Sequence, residues 1–305
     1  MAVHSLESNI RTLRGHWSHE FEPVLTIDPG DTVRFRTLDA RWYVSPDGQR
    51  FEPRPEGAGH ALTGPVAIRG AEPGMTLAIR VDKLRTGTWG WNAAGGGNFG
   101  INPFIGMTEP PGLFVNWTLD PDAGTGTTQF GKRVKLRPFL GVMGVAPAAP
   151  GLHSTTPPGV IGGNIDCKEL VEGSTLYLPV QAAGALFSCG DGHAAQGDGE
   201  VSGTAIECGM DVAELTFDLV PDMRLKLPRA HTPSGWVTFG FSEDLNEAMY
   251  QAMSGMLDLM KEVHGLDRKE ALSLASVVVD LRVTQVVNQV RGVHAVLPHG
   301  AILGV

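Results

Sequence analysis

The chain has 305 residues and a formal net charge of −9, with 42% hydrophobic and 19% charged residues. That length holds one large domain or two ordinary ones, and the balance is that of an ordered globular protein. The negative charge argues against general binding of nucleic acid or of an anionic membrane, and no run of roughly 18 apolar residues is present to span a bilayer.

The first ten residues are polar and lack the apolar segment of a secretory signal, so a cytoplasmic protein is expected. Forty glycines and 21 prolines point to many turns and a mainly β fold. Asp28-Pro-Gly-Asp31 is a turn signal, and Asp31–Thr37 follows with Val33, Phe35 and Thr37 on one face. The same phrase recurs before Thr76–Val81 and before Thr175–Val180. Asn92–Gly100 is a glycine-rich loop without the phosphate-binding pattern. Pro147–Gly163 reads as an ordered irregular segment.

Helices are expected late. Ser242 is a candidate cap for a helix carrying Leu245, Met249, Met253, Met256, Leu257 and Met260 as a core-facing stripe, ended near Gly265. Asp267 with Glu270 resembles a capping box opening a second helix. Leu281–Val287 and His294–Pro298 return to strand. A division into 1–135 and 136–305 is expected, unless the two parts interlock into one unit.

The densest chemistry lies in 186–207, where Asp191, His193, Asp198, Glu200 and Glu207 are separated mostly by glycine and alanine. Acids and an imidazole with so little bulk between them suit a metal ion or an acid/base pair. The glycines are expected to provide positive φ. In an extended segment Asp191 and His193 share a face, as do Asp198 and Glu200. The bland alternative is a solvated acidic turn. Asp166 is a second candidate carboxylate. Cys167 reads first as a small buried hydrophobe, and second as a nucleophile activated by Lys168. Cys167, Cys189 and Cys208 form no disulfide or zinc-finger pattern. Of the scattered histidines, His16, His19, His60 and His153 stand out; each alone reads as a satisfied or solvent-facing side chain, and together they allow a metal completed from distant parts of the chain.

Several phrases carry a resemblance. They are Pro23–Val33, Leu62–Val66 with Gly70–Gly74, Gly141–Pro147, His153–Pro158, Gly162-Gly-Asn-Ile-Asp166, Gly190-Asp-Gly-His-Ala-Ala-Gln-Gly-Asp-Gly-Glu200 and Asp280–Val287. In this order they resemble the acetamidase/formamidase family over nearly the whole chain. The resemblance implies hydrolysis of short amides, with small lactams as cyclic variants. It also implies a β-sandwich or jelly-roll core with a smaller α+β portion carrying the two C-terminal helices. A divalent metal is implied, with zinc the expected ion, and a homo-oligomer is expected. On this reading Asp166 and His193 are the core metal ligands, completed by Asp191 or by His16, His60 or His153. Glu200 is the general base, backed by Asp198, and Gly162, Gly163 and Asn164 supply oxyanion donors. Two alternatives stand: a cysteine-dependent amidase built on Cys167, and a non-catalytic β-sandwich that binds a small ligand.

Overall fold

A computed structural model describes residues 1–303. Among them are 20 strands and three helices. Alternation in sequence becomes alternation in burial: Val33 and Phe35 are buried in strand Thr32–Phe35 while Arg34 is exposed. Among the described residues no helix is long and apolar enough to cross a membrane.

The strands form two large sheets. The nine-stranded sheet runs Val3–Leu6, Thr32–Phe35, Met210–Val220, Thr76–Thr86, Thr175–Pro179, Arg229–Thr232, Gly235–Ser242, Val290–Pro298, Asp280–Asn288. The eleven-stranded sheet centres on Phe187–His193, flanked on one side by Phe139–Gly144 and then Gly162–Asn164. Strands from before and after residue 135 are neighbours in both sheets. The sheets share one core. Phe35 and Phe217 from the first pack edge-on against Phe187 from the second, with centroids 6.0 and 4.9 Å away. Each such burial stabilises the fold by about 1.5–3 kcal/mol.

Helices Leu245–His264 and Arg268–Val278 cover the end of the nine-stranded sheet. Met256 and Met260 are buried against Val293, Ala295 and Leu297, so the methionine stripe is core. Asp267 forms the expected capping box with Glu270. The first cap is a correction: Asp244, not Ser242, accepts from the amides of Asn246 and Glu247. Ser242 still ends strand Gly235–Ser242, and the chain needs two more residues to change direction. The segment 186–207 is also less of a loop than expected, since Phe187–His193 is a fully buried strand.

Candidate active site

Strand Phe187–His193 changes partner in its middle. On one edge it pairs throughout with Phe139–Gly144. On the other, Phe187 to Gly190 pair with Leu62–Ile68, whereas Gly192 and His193 pair with Glu207–Cys208. Asp191 sits at the switch with φ 56°. Asp166 (φ 54°) and Glu200 (φ 44°) share this left-handed backbone. Such conformations are costly for non-glycine residues and cluster at functional sites. The expected role of the glycines holds in part: Gly199 (φ 95°) and Gly203 (φ 86°) take positive φ, while Gly190 and Gly192 lack side chains because neighbouring backbone leaves no room for them, a Cβ on Gly192 standing 2.6 Å from the Cys208 carbonyl oxygen.

The acids converge on His193. Its Nε2 lies 3.3 Å from Asp191 Oδ1 and 3.4 Å from Glu207 Oε2, and its Nδ1 lies 3.8 Å from Asp166 Oδ1. Gln196 Nε2 donates to the Asp166 carbonyl at 2.7 Å, which turns Gln196 Oε1 toward His193 Nδ1 at 2.9 Å. Nδ1 therefore carries a hydrogen toward Gln196, and Nε2 is the nitrogen that faces the two carboxylates. Phe139 holds the ring edge-on at 5.0 Å. Asp166 accepts from Asn288 Nδ2. Five buried atoms here have no hydrogen-bond partner: Asp166 Oδ1, Asp191 Oδ1, His193 Nε2, Glu200 Oε2 and Glu207 Oε2. Buried polar groups are rarely left so.

The electrostatics follow. Burial disfavours a charged ring at His193, yet Asp191 and Glu207 outweigh it and hold the imidazole well above its ordinary value. Burial, with Asp166 beside it, holds Glu200 well above the carboxylate range. Burial, with Asp191 adding repulsion, pushes Asp166 up to about 7 and Glu207 up to about 8.

Above the acids opens a cavity of about 400 Å³, lined among others by His60, Asn164, Asp166, Asp191, Glu200, Glu207 and Asn288. His60 is half-buried, with its Nδ1 2.9 Å from Thr155 Oγ1. His16 is not part of that lining.

Four expected site residues lie elsewhere. His153 Nε2 is 3.0 Å from the Ala149 carbonyl and 3.1 Å from that of Pro150, so it braces its own loop. Gly162 and Gly163 do not line the cavity, and the Gly162 amide is committed to the Gly159 carbonyl at 3.0 Å. Asn164 does line it, but its Nδ2 donates to Thr156, leaving Oδ1 free. Asn164 thus offers a free acceptor suited to an amide N–H, beside an Nδ2 with one of its two hydrogens committed to Thr156. Asp198 is drawn away by cations: Arg282 Nε is at 2.7 Å and Lys168 Nζ at 3.2 Å. Arg282 also donates to Glu169 at 2.8 Å. Asp198 does not line the cavity. It ties the turn before Glu200 to strand Asp280–Asn288, where Gly199 N–H also donates to the Thr284 carbonyl at 3.0 Å. Arg282→Ala is expected to lower kcat on the order of 10²-fold with a smaller change in KM, read by steady-state kinetics.

Glu207, Gln196 and Asn288 were not assigned roles from sequence. Glu207 had a signal, an acid standing between Ile206 and Cys208 in an apolar run. Gln196 and Asn288 had none.

The sequence pattern of the Acetamidase/Formamidase family matches residues 3–155 and 148–301. The chain belongs to the acetamidase/formamidase family. It is 27% identical to a formamidase of Methylophilus methylotrophus over 250 residues, covering 62% of this chain and 60% of that protein. It is 27% identical to an acetamidase of Mycolicibacterium smegmatis over 280 residues, covering 68% and 66%. The crystal structure of an acetamidase from Bacillus halodurans superimposes with a TM-score of 0.85 at 28% identity, covering 96% of this chain and 97% of that one. As a family member the chain is an amidohydrolase, breaking amide C–N bonds.

Proposed function

We propose that this acetamidase/formamidase-family chain hydrolyses short-chain primary amides to carboxylate and ammonia with the help of a divalent cation, zinc being the expected ion. The observation that supports it is the convergence of five unpartnered, buried donor atoms on one small volume. A ring nitrogen of His193, one oxygen of Glu207 and one of Glu200 lie within 4.8 Å of one another, as do ligand atoms of Asp166, Asp191 and His193. Imidazole with carboxylates is a donor set suited to such an ion. Because Gln196 occupies Nδ1, Nε2 is the nitrogen open to it, and Asp191 and Glu207 are the nearest carboxylates. Asp191, His193 and Glu207 would hold the ion, with Asp166 beside them.

Bound there, the ion polarises the amide carbonyl and lowers the pKa of water toward ~7. The rest is the chain's own chemistry. Glu200 Oε2 is placed to take a proton from the attacking water and return it to the departing nitrogen. Asn164 Oδ1 orients the substrate N–H. Asp166, held by Asn288, shares its surroundings with Glu200 and keeps that proton from leaving.

Dialysis against a chelator is the direct test. Loss of ammonia release from formamide and acetamide, restored by zinc, is expected; full activity in metal-depleted protein would overturn the cation. Cys167→Ala should stay active, since the thiol is fully buried and burial pushes it up to about 12.

The chelated protein should also show a pH signature. Asp166 and Glu207 bind protons more tightly folded than unfolded, where carboxyls titrate near ~4. Their contribution to stability is present at low pH and is lost as pH rises through their folded values of about 7 and about 8. The Tm of chelated protein is expected to fall across that window, and zinc to restore it most at the alkaline end. Differential scanning fluorimetry reads both.

A further inference from the structure

The cavity has a second chemical character at its mouth. The acids in its lining are buried, which makes them its floor, while Arg41, Arg50 and Arg54 in the same lining are exposed. Arg54 is already paired, its Nε 3.0 Å from Glu52 Oε1. Arg41 and Arg50 take part in no ion pair among the described residues and rest on aromatic faces. The Arg41 guanidinium lies 4.8 Å from the centre of the Trp91 ring, and that of Arg50 lies 5.0 Å from the centre of the Tyr43 ring. Arg50 also donates to the Tyr43 hydroxyl at 3.3 Å.

The platform under them is fixed. Tyr43 meets Trp91 edge-on at 5.8 Å. Trp91 is buried, and its Nε1–H donates to buried Asp39 at 2.5 Å. The other oxygen of Asp39 accepts the amides of Arg41 and Tyr43 at 3.0 and 2.8 Å. One buried carboxylate thus sets the backbone that carries Arg41 and the ring on which it lies. A guanidinium stacked this way keeps its N–H edge free for an anion.

A formamide or acetamide has no group to meet these cations. We propose that the cavity takes amides whose acyl chain ends in a carboxylate, with Arg41 and Arg50 receiving that carboxylate at the mouth while the amide reaches the acids at the floor. This rests on the amidase reading above. Water adds across the C–N bond, so such a monoamide yields the dicarboxylate and ammonia. The arginines also keep the substrate's charge away from Asp191, Glu200 and Glu207, which would repel it. Arg41 and Arg50 are therefore specificity-determining residues.

The test compares kcat/KM for succinamate with that for butyramide, its uncharged counterpart of similar shape. Wild-type protein, zinc-loaded, is expected to favour succinamate by about tenfold or more, as charge-assisted contacts allow. The ratio should fall toward one in R41A/R50A, persist in part in R41K/R50K, and shrink in wild type as salt screens the exposed guanidiniums. A wild-type ratio at or below one overturns the inference, as does an unchanged ratio in R41A/R50A, which would mean the arginines only balance the charge of the floor. Ammonia from both amides at equal efficiency leaves the amidase reading standing and sinks this one; ammonia from neither, with formamide and acetamide still hydrolysed, sinks this one alone, and ammonia from none of the four sinks both.

Discussion

Glu200→Gln is expected to lower kcat by about 10²–10⁴-fold, the range for removing a positioned acid/base group. The amide keeps the size and shape of the carboxyl and cannot carry the proton. Glu200 is buried, has left-handed backbone and leaves Oε2 without a partner over the cavity. Its surroundings hold its carboxyl well above the usual range, first through burial and then through Asp166. A buried carboxyl whose surroundings raise its proton affinity is better matched to accept and return a proton than an exposed one, which is what an acid/base residue needs. Zinc content and melting temperature are expected to stay near wild type, because Asp191, His193 and Glu207 remain. Metal analysis, calorimetry and steady-state kinetics on one preparation separate the outcomes. A kcat within about threefold of wild type, with metal retained, would remove Glu200 from the proton-transfer role.

Gly141→Ala is the second large effect, and it tests geometry. Strand register sets Leu140 opposite Gly192 and Val142 opposite Gly190, so Gly141 faces Asp191. A Cβ at this position would lie 2.6 Å from Asp166 Oδ1, 2.6 Å from Asp191 Oδ2 and 2.8 Å from His193 Cε1. None of these groups sits on a free side-chain end. His193 is held by Gln196 and Phe139, Asp166 by Asn288, and Asp191 by the partner switch of its strand. The methyl must push them apart. Overpacking of this kind costs about 1–3 kcal/mol, and the displaced ligands should lose zinc and more than about 10²-fold in kcat. Gly159→Ala is the control, since a Cβ there meets nothing within 4 Å. Retention of both zinc and turnover in Gly141→Ala would show that the volume beside Asp166, Asp191 and His193 is not where the chemistry happens.

The site was legible in part. Asp191, His193 and Glu200 stood out because no ordinary turn needs an imidazole and several acids among so many small residues. The structure does bring them together with Asp166, a distant residue. The choice between Asp198 and Glu207 was not legible. Both are acids in the same stretch, and what separates them is that Arg282 and Lys168 reach one while strand pairing brings the other to His193. That pairing is set by which segments become neighbours in the eleven-stranded sheet, and residue spacing carries no trace of it. The glycines divide on similar grounds. Gly199 and Gly203 meet the expectation of positive φ, whereas at Gly190 and Gly192 only the neighbouring backbone shows that space is the requirement. The strands and helices were easier, because alternation, capping and the methionine stripe are local. Even there the step from Ser242 to Asp244 depended on where the preceding strand stops.

The interleaving of the two sheets has a consequence for how the molecule is made. Thr76–Thr86 lies between Met210–Val220 and Thr175–Pro179, so an early strand must wait for much later ones. Folds dominated by such distant pairings form slowly and expose unpaired edges meanwhile. The cavity waits longest. Its acids come from 166, 191, 200 and 207, and the amide that steadies Asp166 comes from Asn288. On the ribosome the partner that steadies Asp166 is therefore missing until the final hairpin has emerged, and truncation before that hairpin is expected to leave an insoluble product, read as loss of the chain from the soluble fraction.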